Sequence, residues 1–182
     1  MRVVIDRPAD VAAWVAIRIP MMDGEFSAIK WAIGIESEEG KPLGGLVFTN
    51  HMPAYRNIEV SVASESPRWL TRNILRQLLA YPFDQLDCNR ITTVTPRKAA
   101  SARRFLEVFG FKREGLIRHG FGSDDAVISG LLRKEWLRSS WYTGRVDGQI
   151  RSQRAHARRS YGGRQRANRV QQGDGAVSIA AE

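Results

Sequence analysis

The chain has 182 residues, with 28 Lys and Arg against 19 Asp and Glu, a net charge of +9. That length suits one domain with a sizeable core plus an appendage, and 43% apolar residues is ordinary for a soluble protein. The longest early apolar run, Val11 to Ile17, is too short for a secretory signal or a membrane span, and one cysteine, Cys88, excludes an internal disulfide.

Arg2 to Ile5 is a β-branched run that reads as a first strand. Pro8 suits the first turn of a helix whose apolar face (Val11, Trp14, Val15, Ile17, Ile19) runs until Pro20. Ala28 to Glu36 and Leu43 to Asn50 read as a hairpin around the turn Glu38-Glu39-Gly40-Lys41-Pro42. Asn57 to Ser64 is a further strand, with Ile58, Val60 and Val62 on one face. Residues 67–80 read as a helix opening on Pro67, with Leu70, Ile74, Leu75, Leu78 and Leu79 on one side and Pro82 kinking or ending it. Arg90 to Thr95 is a strand and residues 97–109 the next helix. Gly110 stands where a helix end wants a left-handed residue, and Phe105, Leu106 and Phe109 share an apolar face. His119 to Phe121 and Ala126 to Leu132 close the series around a Gly-Ser-Asp-Asp turn.

The order β-α-β-β-β-α-β-α-β-β predicts an α/β fold, a mixed sheet of six to seven strands flanked by helices. The unit at residues 57–95 implies a parallel pair with a right-handed crossover. The expected domain is residues 1–138, and residues 139–182 are an extension. Charge divides there: residues 1–136 carry a balance of +3, residues 137–182 a balance of +6 with nine Arg and no Lys. Residues 143–175 are rich in Arg, Gln, Gly and Ser, too polar to offset chain entropy alone. Val146 to Tyr161 is a candidate for a helix formed on a partner.

Several stretches together resemble the GNAT superfamily of acetyl-CoA-dependent N-acyltransferases, most closely the branch of ribosomal-protein N-acetyltransferases and their phage and bacterial relatives. They are Gly44-Gly45-Leu46-Val47, Asn57-Ile58-Glu59-Val60-Ser61-Val62, Leu86-Asp87-Cys88-Asn89-Arg90-Ile91, Ala102-Arg103-Arg104-Phe105-Leu106-Glu107 with Gly110-Phe111, and Ala126-Val127-Ile128-Ser129-Gly130-Leu131-Leu132. The resemblance covers roughly residues 1–138. It implies acetyl-CoA as co-substrate and a primary amine as acceptor: a protein N-terminus, a lysine, an antibiotic or a small polyamine.

The resemblance places the pantetheine arm against the backbone of Val60, Val62 and Ser64. It places the pyrophosphate at Arg68-Trp69-Leu70-Thr71-Arg72-Asn73, where a helix start offers free N–H groups. Arg68 matches the family pattern, while Thr71 and Asn73 replace its two glycines and Arg72 adds charge. Glu59 is the candidate general base, against a reading as a solvent-facing strand residue. The family's tyrosine acid position holds Leu106, its serine alternative Ala102 with Ser101 adjacent, and its late-helix asparagine Ala99. Those departures keep open a non-catalytic scaffold of the same fold.

His51, His119 and His156 accompany no Cys or carboxylate cluster, so no metal site is expected. Cys88 reads as packing at a strand start. The arginines Arg151, Arg154, Arg158, Arg159, Arg164, Arg166 and Arg169 suit a salt-sensitive contact with nucleic acid, docking on a protein or a second copy, or a solvated tail. A cytoplasmic or phage-associated location and no membrane contact are expected.

Overall fold

The computed structural model describes residues 1–19, 26, 28–143 and, for the backbone, 176–177. The elements in chain order are β1 (Arg2–Val4), α1 (Pro8–Ala16), β2 (Ile29–Glu36), β3 (Pro42–Met52), β4 (Asn57–Ser64), α2 (Arg72–Ala80), β5 (Arg90–Pro96), α3 (Ala100–Phe109), β6 (Lys112–Phe121), β7 (Asp124–Leu132), α4 (Arg133–Arg138), α5 (Ser140–Thr143) and β8 (Ala176–Val177). The strands lie in the order β1-β2-β3-β4-β5-β7-β6, with β8 paired to β4. Among these neighbours only β4 and β5 run parallel. The expected mixed sheet and the expected order of its elements are both present.

Alternation along the strands separates two cores. Ile58, Val60 and Val62 of β4 point to the face covered by α2 and α3, where Trp69, Leu75, Leu78, Phe105, Leu106 and Phe109 are buried. Ala63 points the other way, into a smaller core with Ala12, Val15 and Ile19 from α1 and Val47 from β3. Gly44 and Gly45 serve one face each. A Cβ on Gly44 would fall 2.6 Å from Trp69 Nε1, and one on Gly45 would fall 2.7 Å from Val15 Cγ2. The tight third-strand pair therefore lets Trp69 and α1 approach the sheet.

Several boundaries differ from the expectation for local reasons. The helix expected over 67–80 is broken in two. Pro67–Trp69 makes a single 3₁₀ turn. Thr71 is extended, and its hydroxyl accepts from the Ile74 N–H at 3.3 Å, so α2 starts at Arg72. Pro82 does interrupt the helix, and α2 stops at Ala80. The proline lacks the N–H for the α ladder, and the chain continues as a π turn in which Leu86 N–H donates to the Tyr81 carbonyl. The helix expected from residue 97 begins at Ala100, because Arg97 N–H donates to the Asp125 carbonyl and Lys98 N–H to the Asp124 carboxylate.

The end of α3 matches its sequence signal. Gly110 takes φ +100°, its N–H donates to the Glu107 carbonyl, and Phe111 N–H donates to the Leu106 carbonyl. These two bonds are the Schellman pattern. Within the extension, α5 buries Trp141 in the larger core, and its indole N–H donates to the Val108 carbonyl at 2.6 Å. The candidate helix at 146–161 and the arginine run lie outside the described residues.

Two outcomes follow from this packing. Gly44→Ala forces the fully buried Trp69 ring to shift, and chemical denaturation should show a loss of about 1–3 kcal/mol. Cys88 is buried, and that burial pushes its thiol pKa up. Because the thiolate is the reactive form, Ellman's reagent at about pH 8 should label it only after unfolding.

Candidate acetyl-transfer site

The parallel pair β4/β5 is registered at only three positions, Asn57↔Arg90, Ile58↔Ile91 and Glu59↔Thr92. Its closed end is fastened by side chains. Thr92 Oγ1 donates to Asn57 Oδ1 and accepts from Arg90 Nε, both at 2.9 Å, and Arg90 also forms an ion pair with Glu114. Beyond Glu59, β4 continues from Val60 to Ser64 without β5, while β5 stays paired to β7 along its whole length, Arg90 to Pro96. The result is a cleft inside the sheet. Thr93 and Thr95 on the β5 side are buried, with hydroxyls that have no hydrogen-bond partner among the described residues.

The backbone of β4 from Val60 to Ser64 therefore lacks a β5 partner, while the Val60 and Val62 side chains are buried in the larger core. Ser64 Oγ donates to the Ser66 carbonyl and accepts from Trp69 Nε1 at 2.9 Å. Part of the open edge is paired to the chain itself, since Val62 and Ala63 register with Val177 and Ala176 of β8.

Past the cleft lies the start of α2. Thr71, Arg72 and Asn73 open α2 and are exposed. Four amides there are already engaged: Arg68 N–H donates to Ser66 Oγ, Leu70 N–H to the Pro67 carbonyl, Thr71 N–H to the Trp69 carbonyl, and Ile74 N–H to Thr71 Oγ1. Arg72 Nε donates to the Trp141 carbonyl at 3.4 Å. Arg68 is exposed, and its guanidinium makes no ion pair among the described residues.

A cavity of about 730 Å³ meets the closed end of the cleft, a size typical of small-molecule sites. Its walls include Ile29 and Lys30 of β2, Asn50, His51 and Met52 of β3, and Glu59 of β4. Glu59 is half-buried and accepts from Asn50 Nδ2 at 2.8 Å. Glu59 is thus both the last residue at which β4 meets β5 and a wall of the cavity. Lys30 and Glu59 are the charged residues in that wall. Burial, assisted by the Lys30 charge, holds the His51 imidazole below the ordinary histidine pKa.

Ser101 is exposed on α3 and is not among the cavity's walls; its neighbour Ala102 faces the core, and Leu106 is buried there. Asn50, His51 and Lys30 carry no motif that singles them out in the sequence. The one local signal is Asn50-His51 at the end of an apolar strand and before Pro53, where a strand must stop. Among the described residues, no group of three His, Cys, Asp or Glu could hold a metal ion, and no helix is long and apolar enough to cross a membrane.

No family model matches the sequence, and no curated protein matches it. Solved structures do match. A chimera of the spermidine N-acetyltransferase SpeG from Vibrio cholerae and hSSAT is 14% identical, with 76% of this chain and 100% of that chain covered and a TM-score of 0.61. Mutant forms of the V. cholerae spermidine/spermine N-acetyltransferase SpeG are 18% identical over 62% of this chain and 71% of that chain, with a TM-score of 0.54. The dodecameric V. cholerae spermidine N-acetyltransferase is 19% identical over 60% and 68%, with a TM-score of 0.52. Sheet order, the split parallel pair and these likenesses together give the chain the GNAT N-acyltransferase fold.

Proposed function

We propose that the protein is an N-acetyltransferase that moves an acetyl group from acetyl-CoA to a primary amine. The observation that carries this reading is the meeting of cleft and cavity at Glu59. A thioester arm and an amine can then approach one point from opposite sides of the sheet. The cleft suits the arm, because an amide-bearing chain satisfies an open strand edge as a neighbouring strand does. The unpartnered Thr93 and Thr95 hydroxyls support the same reading.

Acetyl-CoA supplies an activated acyl thioester. The chain's residues do the rest. Val60, Val62 and Ser64 offer backbone groups to the arm. Arg68, with Thr71, Arg72 and Asn73 at the start of α2, faces the pyrophosphate, and Arg68 contributes a charge-assisted contact. Asn50 holds the Glu59 carboxylate in one orientation, so that it seats the acceptor ammonium at the closed end of the cleft. Ala176 and Val177 lie on the stretch of β4 that the arm needs, so binding displaces them.

Calorimetry with acetyl-CoA tests the reading. Saturable binding is expected, and no heat at millimolar ligand would leave a non-catalytic scaffold with its arginine-rich extension. Arg68→Ala should weaken binding by roughly tenfold, less at high salt, since the contact is exposed. The double variant Ala176→Pro/Val177→Pro should tighten it by a few-fold, because proline cannot donate to a strand ladder.

A further inference from the structure

We propose that His51 is the catalytic base of the site, accepting at Nε2 the proton that the acceptor ammonium must lose. The proposal rests on the acetyl-transfer reading above and assigns its proton transfer to a residue outside the expected set.

Placement comes first. In a regular strand, consecutive side chains point to opposite faces, yet Asn50, His51 and Met52 all line the cavity. The backbone explains why. The pairing of β3 with β4 slips between Thr49↔Glu59 and Met52↔Asn57, and Asn50 takes a left-handed φ of +45°. An irregularity of this kind re-aims side chains and is frequent beside active sites. Here it brings the Asn50 amide onto Glu59 and turns His51 toward the same space.

Chemistry comes second. His51 Nε2 is shielded from solvent and has no hydrogen-bond partner among the described residues. A buried polar nitrogen without a partner is costly in a folded chain unless a ligand supplies one. The charged groups lining its surroundings are Lys30 from β2 and Glu59 from β4. Burial and Lys30 both favour the neutral ring, so with its proton on Nδ1 the imidazole offers a lone pair at Nε2. Glu59 attracts the ammonium, and His51 takes its proton: one N–H bond of the ammonium breaks, and one forms at Nε2. The amine keeps the electron pair and can attack a thioester. The imidazolium gives the proton up again once the acylated product has left and water refills the cavity.

The test uses the full chain with butylamine as probe and ring-labelled histidine NMR, with His51, His119 and His156 assigned by substitution. His51 is expected to be neutral at neutral pH, and its Nε2 signal should move when butylamine is added. Glu59→Gln should abolish that response. His51→Gln should leave acetyl-CoA affinity within about twofold. It should cut amine-dependent thiol release by about 100-fold or more and remove the acid limb of the pH profile, which lies below the ordinary histidine pKa. Each substitution result counts only if the variant keeps the native thermal transition, and His51→Asn serves as the second substitution if Gln does not fold. A His51 ring that ignores the amine, or a variant with full turnover and an unchanged acid limb, overturns the proposal. If acetyl-CoA binds to neither form, the transferase reading fails, and the NMR response alone still decides whether His51 meets an amine.

Discussion

The structure depends on how short the parallel registration of β4 and β5 is. Three residue pairs hold the strands together, and a side-chain clamp of Asn57, Thr92, Arg90 and Glu114 fixes the end that stays closed. The Arg56 carbonyl strengthens that end by accepting from both Asn89 and Arg90 N–H groups. On its far side β5 is committed to β7 throughout, so it does not follow β4. The interior of one sheet thereby acquires an open edge. Unpaired strand backbone attracts another strand or a ligand, and β8 meets part of the demand at Val62 and Ala63.

Alternation about that edge assigns different work to the two faces of β4. Val60 and Val62 anchor the strand in the core under α2 and α3, while Glu59 and Ala63 point toward the α1 side. A glycine on each face of β3 lets the covering element press close, Trp69 on one and α1 on the other. The Trp69 ring packs against Phe105 and Phe109 and donates to Ser64 Oγ, which ties the end of β4 to the helix layer. The cleft is therefore framed by a rigid aromatic cluster, and the cavity by the β3–β4 irregularity.

The sequence made the frame legible because its signals are local. Gly110 announces the end of α3, and the apolar spacing of Phe105, Leu106 and Phe109 announces its buried face; both are as expected. The single hairpin strand expected at His119–Phe121 is ten residues long, Lys112–Phe121, because most of its side chains are exposed and polar and show no apolar alternation. Helices α4 and α5 escaped notice for a different reason. Each is too short to display a helical period, and Trp136 and Trp141 reach the core only through tertiary placement. Glu59 is a candidate by resemblance. The placement of Asn50 and His51 beside it has no sequence signal, because a slip in strand register depends on both partners and leaves no pattern in either strand alone. Ser101 shows the converse: adjacent to a family position in sequence, it is exposed on α3 beside the buried Ala102.

For the proposed acetyl transfer, the position held by Leu106 offers no tyrosine acid, and acid–base energetics indicate why none is required. A thiol of pKa about 8.5 leaves as a fairly stable anion, so protonating it gains little near neutral pH. A primary amine of pKa about 10.4 is neutral in only roughly one molecule in 2,500 at pH 7. The larger obstacle is thus removal of the amine's proton. In the proposed reaction Glu59, held by Asn50, seats the ammonium, and the unpartnered His51 nitrogen takes that proton. A site furnished in this way can spare the acid on α3, and the Leu106 side chain there is buried in the larger core instead.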